Sequence, residues 1–206
     1  MIYGFEQLHE LLARPTTGFV TARNEQIQLS DDSRLFLTAW NHWRGDRLLP
    51  RRADMDITMI ARLMPRVVLL EISGPERMIF RLAGGEVEQY LGQRLQGRDY
   101  VAMAESSRQE RRARLMWHVV NQPCAAVNVY RASDPDGTSR LIQFCGAPVL
   151  ADEPGAPVQL LAVASNLRRL GWGESGVPYD PNAAGLCLID IGAGGPDLDP
   201  EMGLAS

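Results

Sequence analysis

The chain has 206 residues, of which 45% are hydrophobic and 22% are charged, and its formal net charge at neutral pH is −4. This composition is typical of a globular protein with a core of its own, and it excludes a chain that is mainly disordered. The mildly acidic balance argues against a nucleic-acid-binding protein, because such proteins need an excess of basic residues to neutralise phosphates.

The sequence carries no signal for a membrane or for export. No stretch approaches the roughly 20 consecutive apolar residues of a membrane span, and the first residues lack the cationic start and cleavage site of a secretory signal. The three cysteines have no CxxC spacing, so they predict neither a disulfide framework nor a zinc site. We therefore expect a cytoplasmic protein without membrane contact and without a bound metal.

The first clear element in chain order is an amphipathic helix over residues 32–44, which follows a surface arm at 1–29. A Ser-Asp-Asp run supplies its N-cap, and Gly45 supplies its C-terminal stop. Three aromatic residues spaced i, i+4 and i+7 share one face, which packs either on the sheet of this domain or on a partner subunit. Because a small domain does not easily cover so much apolar surface, we predict a homodimer through this face. The three residues are Phe36, Trp40 and Trp43.

The segment LPRRADMD at 49–56 precedes a second amphipathic helix, which Asp56 caps and Pro65 ends. The basic and acidic residues of this segment suit two roles. They could form ion pairs across a subunit boundary, or they could make structural hydrogen bonds within the domain. The sequence does not choose between them.

The hydrophobic period then changes to that of strands. The runs 66–73 and 77–83 predict a hairpin, and a short helix ending at Gly92 follows it. A longer helix at 107–121 has one apolar face and one face of arginines, which either recognise phosphates or an acidic partner or are simply solvated. A pairing of Glu110 with Arg114 one turn later favours the solvated face. The arginines are Arg108, Arg111, Arg112 and Arg114.

Three strands follow, at 125–132, 138–150 and 158–167, joined by turns rich in aspartate, proline and glycine. The last strand is apolar on both faces, which is typical of a strand at the centre of a covered sheet. Residues 171–206 are rich in glycine and proline and contain no basic residue. We expect this tail to contribute at most one docked strand, GLCLIDIG, and to be disordered over 196–206.

This order of elements predicts an α+β fold. N-terminal helices, a hairpin, a helical excursion and a three-stranded meander are the order of a PAS-like five-stranded antiparallel sheet, with the excursion between its second and third strands. In that architecture the last strand pairs with the first. Element order alone leaves GAF and profilin-like folds open as alternatives.

Residues 30–170 resemble the PAS-like family known as PAS family 5, usually met as stand-alone proteins of alphaproteobacteria. In chain order, the resemblance is carried by Trp40 and Trp43 before Arg-Gly, then LPRRADMD, LMPRVVLLEIS, FRLAGGEVEQYLGQRLQGRDY and PCAAV. The family tends to have proline and threonine where this chain has Ile57 and Gly85. The resemblance implies a PAS fold and a sensory or regulatory role, and it brings no defined ligand with it.

A PAS-like core has a cleft between the sheet and the helical excursion, and strand alternation supplies candidates for its lining. These side chains line either a cavity for a small organic ligand or a solid core. The solid core is favoured, because no charged residue is forced into the set. The candidates are Met78, Phe80, Leu82, Tyr90, Tyr100, Trp117, Val127, Val129 and Phe144, with Ile142 beside them.

No motif for a nucleophile, a metal hydrolase or a phosphate-binding loop occurs in the chain. His118 lies on the helix where haem-binding PAS domains carry a histidine, but it shares the side of the arginines, so we expect a solvated side chain. Residues 84–106 contain no cysteine, which excludes a covalent flavin photosensor. We therefore predict no catalytic residue and no cofactor.

The leading prediction is a non-enzymatic sensory or regulatory module that binds a small organic ligand or an unidentified regulatory protein. The residues outside 30–170 leave no room for an output domain, so we expect any signal to leave through protein contact. The alternative is a small-molecule enzyme on a helix-capped α+β sheet that uses tyrosine or aspartate as acid and base.

Overall fold

A computed structural model describes residues 19–20, 26–104, 106–133, 138–170 and 187–194. Its main feature is an antiparallel sheet of six strands, with one apolar cluster on each face. The strands are β1 (Phe19–Val20), β2 (Gln26–Ile27), β3 (Val67–Gly74), β4 (Arg77–Ala83), β5 (Cys124–Ser133), β6 (Ser139–Val149), β7 (Val158–Leu170) and β8 (Cys187–Asp190), of which β1 and β2 form a separate pair. The helices are α1 (Asp31–Arg44), α2 (Gly85–Leu91) and α3 (Ser106–Asn121), with 3₁₀ helices at Arg52–Asp54 and Ile57–Arg66.

The main sheet has the strand order β4-β3-β7-β6-β5-β8. Strand β7 pairs with β3 on one side and with β6 on the other, which agrees with its two-sided apolar pattern. Its neighbouring residues Leu160 and Leu161 belong to opposite clusters. The predicted five-stranded sheet is confirmed for β3–β7. The observed sheet is one strand wider, because β8, within the GLCLIDIG segment, pairs with β5.

Helix α1 packs on the face of the sheet opposite the helical excursion, and we call the apolar cluster there the α1 cluster. Phe36 and Trp40 are 0% exposed in it, and Trp43 is 4% exposed. The indole Nε1 of Trp40 donates to the Pro148 carbonyl oxygen at 3.0 Å. The aromatic stripe therefore covers the sheet of its own domain. The prediction that these three side chains form a dimer interface is wrong, because they belong to the core.

A buried amide fastens the start of α1 to the sheet. The Oε1 atom of Gln143 accepts hydrogen bonds from the Ser30 amide nitrogen and the Ser33 hydroxyl, each at 2.8 Å. Its Nε2 atom donates to the Gln28 carbonyl oxygen at 2.9 Å, and the Ser30 hydroxyl donates to Ser165 Oγ at 2.8 Å. Both ends of the Gln143 amide are thus used, so the last residues of the expected arm are bonded to the domain.

The segment 49–56 is held to the turn between β6 and β7. The Arg52 amide donates to the Leu150 carbonyl oxygen at 2.9 Å, and the Ala53 amide donates to Asp152 Oδ1 at 2.7 Å. The structure therefore shows structural hydrogen bonds in this segment, and ion pairs across a subunit boundary stay a prediction.

The residues after Asp56 form a 3₁₀ helix where the sequence predicted an α-helix. Its dihedral angles are non-helical at Ile60, with φ −119° and ψ 18°. Pro65 has no N–H group, so it cannot make the hydrogen bond that an α-helix needs at this position. Asp56 caps the helix as predicted, accepting from the Thr58 amide at 3.0 Å. Ile60 and Leu63, three residues apart, are buried, whereas Ile57, which the α-helical spacing placed on the buried face, is 52% exposed. Neither the helix type nor the full apolar face was therefore predicted correctly.

The three cysteines are buried thiols. Burial raises the pKa of Cys124 and of Cys187 to about 12, and it raises the pKa of Cys145 as well. Because the thiolate is the reactive form, we expect the native protein at neutral pH to resist a chromogenic disulfide reagent, and all three thiols to react after denaturation. A thiol that reacts at once in the native protein would contradict this burial.

Two predictions fall on the ends of the chain. Most of the surface arm at 1–29 and the disordered tail at 196–206 lie outside the described residues. Within the described part, no helix has the length and apolarity needed to cross a membrane.

Candidate functional site

The candidate cleft lies on the excursion face of the sheet, and we call its apolar cluster the cleft cluster. Val87 of α2, Leu95 of the following loop and Val119 of α3 are buried in it. The loop is fastened to the edge of β4, because the Phe80 amide donates to the Arg98 carbonyl oxygen at 3.0 Å and the Phe80 carbonyl oxygen accepts from the Gly97 amide at 2.8 Å. The excursion is therefore tied to the sheet at this edge.

Most of the predicted lining residues belong to the cleft cluster. Met78 and Phe80 are 0% and 5% exposed, and Ile142 beside them is also fully buried. The other four are aromatic, and they pack against the cluster while remaining only partly buried. They are Tyr90, Tyr100, Trp117 and Phe144, which we call the aromatic margin.

Three predicted lining residues lie elsewhere. Val127 and Val129 pack with the α1 cluster on the opposite face of the sheet, and Val127 pairs there with Cys145. Leu82 is 38% exposed. A register shift in the pairing of β3 and β4 places Leu82 opposite Leu69, which belongs to the α1 cluster. These three are therefore not residues of the cleft.

Tyr100 is held between a ring and a cation. Its ring lies edge-to-face with Phe80, with 5.9 Å between the ring centroids and 73° between the planes. The guanidinium carbon of Arg112 lies 4.5 Å from the Tyr100 centroid, and Arg112 Nη1 donates to the Tyr100 carbonyl oxygen at 3.0 Å. The Tyr100 amide donates to the Met78 carbonyl oxygen at 2.7 Å. This side of the cleft thus joins β4, the excursion loop and α3.

Tyr90 occupies a second polar environment at the margin. Its hydroxyl donates to Glu86 Oε2 at 2.9 Å, and the guanidinium carbon of Arg140 lies 4.9 Å from its ring centroid. Glu86 is also 3.6 Å from Arg66 Nε. Desolvation, together with the hydrogen bond to Glu86, raises the pKa of Tyr90. The phenol therefore stays protonated at neutral pH and acts as a hydrogen-bond donor.

This arrangement is suited to binding. Apolar walls with a few hydrogen-bonding and cationic groups at their margin are typical of sites for small organic molecules. Within the described residues, no group of three or more histidine, cysteine, aspartate or glutamate side chains is placed to hold a metal ion. His118, which we predicted to be solvated, is half-buried on α3.

The role of Arg112 was not predicted from the sequence, where the residue falls on an arginine face expected to be solvated. The residue is partly buried and contacts Tyr100, whereas Arg114 is exposed and pairs with Glu110 as predicted. The available signal was the helical spacing, because Arg112 lies one turn before Met116 of the buried stripe.

Comparison with protein families matches residues 29–163 to the PAS domain family. Comparison with curated proteins gives no match. Among solved structures, a light-oxygen-voltage domain studied with a flavin analogue is 18% identical, with 55% of this chain and 87% of that chain covered and a TM-score of 0.39. An RNA-binding light-oxygen-voltage receptor is 14% identical, with 55% and 33% covered and a TM-score of 0.38. A variant of RsLOV is 17% identical, with 58% and 73% covered and a TM-score of 0.37.

Proposed function

Because the chain belongs to the PAS domain family, which makes it a sensory module, we propose that it senses by binding a small organic molecule at its cleft, without catalysis. The bound molecule stabilises one arrangement of the excursion over the sheet. The signal then passes to a regulatory protein by contact, in the cytoplasm.

The observation that carries this proposal is the difference between the two faces of the sheet. On the α1 face the aromatic side chains are sealed, since Phe36 and Trp40 are 0% exposed. On the excursion face the four residues of the aromatic margin contact the core but keep part of their surface exposed. Aromatic rings that are left half-covered beside polar groups are favourable surfaces for a ligand.

The alternative, an enzyme using tyrosine or aspartate as acid and base, has less support. A base must be deprotonated to act, and the pKa of Tyr90 is raised while its hydroxyl already donates to Glu86. The raised pKa of the buried cysteines opposes a thiolate nucleophile in the same way. The hydrogen bond and the charges around Tyr90 therefore favour binding of a ligand over transfer of a proton.

The proposal includes contact with another protein, either a regulatory partner or a second copy of this chain, and the structure restricts which surface can make that contact. The surface it uses is not the stripe of Phe36, Trp40 and Trp43, because these side chains are in the core of the domain.

The proposal is tested by replacing one phenylalanine on each face. Phe36→Ala removes a fully buried ring, so it should cost about 3 to 5 kcal/mol. Phe144→Ala removes a half-covered ring and should cost less, about 1 to 2 kcal/mol. The low-molecular-weight fraction of a cell extract should raise the melting temperature of the wild type and of Phe36→Ala, because a ligand of the folded state stabilises it by mass action. Phe144→Ala should lose most of this rise.

Native mass spectrometry of the stabilised sample should then show the added mass of the ligand. The ligand version of the proposal fails if no extract fraction stabilises the wild type, or if Phe144→Ala keeps the full rise. Turnover of an extract metabolite that Tyr90→Phe abolishes would favour the enzyme instead.

A further inference from the structure

The guanidinium of Arg112 has no counter-charge among the residues that the structure describes. The residue is partly buried, and within the described part of the chain no carboxylate pairs with it. Its Nη1 atom donates to Tyr100, while Nε and Nη2 have no acceptor among the described residues. Arg66 is also partly buried, and it contacts two carboxylates, those of Asp32 and Glu86. Charges that are withdrawn from water are normally paired, because desolvation is costly, so a group of opposite charge would stabilise the guanidinium of Arg112.

The position of this cation relates it to the cleft. Arg112 lies at the edge of the apolar stripe of α3. The adjacent Ala113 and Met116, one turn later, are buried in the cleft cluster. Its guanidinium lies over the ring of Tyr100, which is one of the four rings of the aromatic margin. An anion that binds the unused nitrogens of Arg112 would therefore lie beside a partly exposed aromatic ring.

We propose that the cleft takes an organic anion, and that Arg112 pairs with its charged group; this inference rests on the proposed function. The ligand has an apolar body that packs on the aromatic margin and a carboxylate, sulfonate or phosphate that meets the guanidinium. The planar fork of arginine suits these groups, because it presents two parallel N–H donors to two oxygen atoms. A neutral ligand of the same shape would leave the charge of Arg112 unpaired.

The competing role is structural. Arg112 already bonds the Tyr100 carbonyl oxygen and stacks on its ring, so its replacement could loosen the excursion loop without touching a ligand. A structural role changes the binding of every molecule in the cleft, whereas the proposed role changes only the binding of anions. Two fluorescent probes of similar size separate the two: the anion anilinonaphthalene sulfonate and the neutral phenylnaphthylamine.

The experiment titrates both probes into the wild type, Arg112→Gln and the matched control Arg114→Gln, which removes an exposed arginine from the same helix. The sulfonate should bind Arg112→Gln about tenfold more weakly than the wild type, because one charge-assisted contact is lost. Binding of the neutral probe should stay unchanged in all three proteins. In the wild type, added salt should weaken binding of the sulfonate and not of the neutral probe. Because the salt series uses the wild type, it tests the inference even if Arg112→Gln does not fold.

The remaining outcomes overturn the inference. If Arg112→Gln weakens both probes equally, or if the wild type binds both with no salt dependence, the residue only positions Tyr100, and the proposed function survives. An equal loss of sulfonate binding in Arg114→Gln would assign the effect to general surface charge and would also overturn it. If the wild type binds neither probe, the inference and the proposed ligand site fall together.

Discussion

Replacing Gly84 with alanine is expected to destabilise the protein by about 3 kcal/mol or more, the largest effect we predict for so small a change. Gly84 links β4 to α2 and lies directly on the backbone that leads into β3. A Cβ atom at this position would lie 2.2 Å from the Pro65 carbonyl oxygen and 2.6 Å from that of Met64. Backbone atoms cannot move aside as a flexible side chain does. The hydrogen bond from the Gly84 amide to the Val67 carbonyl oxygen, 2.8 Å long, would be broken or stretched.

The neighbouring glycine provides the control. A Cβ atom at Gly85 meets nothing within 4 Å, and the residue begins α2. Gly85→Ala should therefore stabilise the protein by about 0.5 kcal/mol, since alanine favours a helix over glycine. Urea unfolding monitored by circular dichroism measures both variants. If Gly84→Ala were as stable as Gly85→Ala, the close approach of the two backbone segments would be wrong.

Trp40→Ala is expected to cost about 3 to 5 kcal/mol. The side chain is 0% exposed in the α1 cluster, so its removal leaves a large cavity as well as losing transfer free energy. The Pro148 carbonyl oxygen also loses its hydrogen bond from the indole. Trp40→Phe keeps much of the ring and should cost less, about 1 to 3 kcal/mol, mainly for the lost hydrogen bond.

Sedimentation at several concentrations distinguishes this core role from an interface role. If Trp40 is only a core residue, Trp40→Phe should leave the molar mass in solution unchanged while it lowers the melting temperature. A change in molar mass with no change in melting temperature would restore the interface first predicted from sequence.

Much of the fold could be predicted because local signals agree with the final structure. The Ser30 N-cap, the Gly92 stop and the two-sided apolar pattern of β7 all appear where the sequence indicated. The candidate site was predicted less well, for a geometric reason. A period of two tells which side chains of a strand share a face, but it does not tell which of two covered faces that is. Val127 and Val129 were therefore assigned to the wrong side.

The same limit applies to helices. The spacing of Phe36, Trp40 and Trp43 predicts a buried stripe, but the sequence does not say whether a sheet or a second subunit buries it. Close backbone approach is equally invisible, since Gly84 and Gly85 look alike in the sequence while only Gly84 faces another segment. Arg112 lies at the edge of its apolar stripe, where small differences in helix orientation decide between solvent and a ring.

The central place of β7 has a consequence for how the protein is made. Strand β3 can pair with β4 as soon as both are made. Its other edge stays unpaired until β7 is made, because β7 comes after most of the domain in the chain. Contacts between such distant segments slow folding, because a long loop must close before they form. While the chain leaves the ribosome, the hairpin of β3 and β4 therefore has one edge with unpaired backbone groups, on the β3 side. The apolar side chains of β3, such as Val67 and Leu69, are exposed at the same time. Chaperones that recognise exposed strands should bind nascent chains that end before β7 and release those that include it.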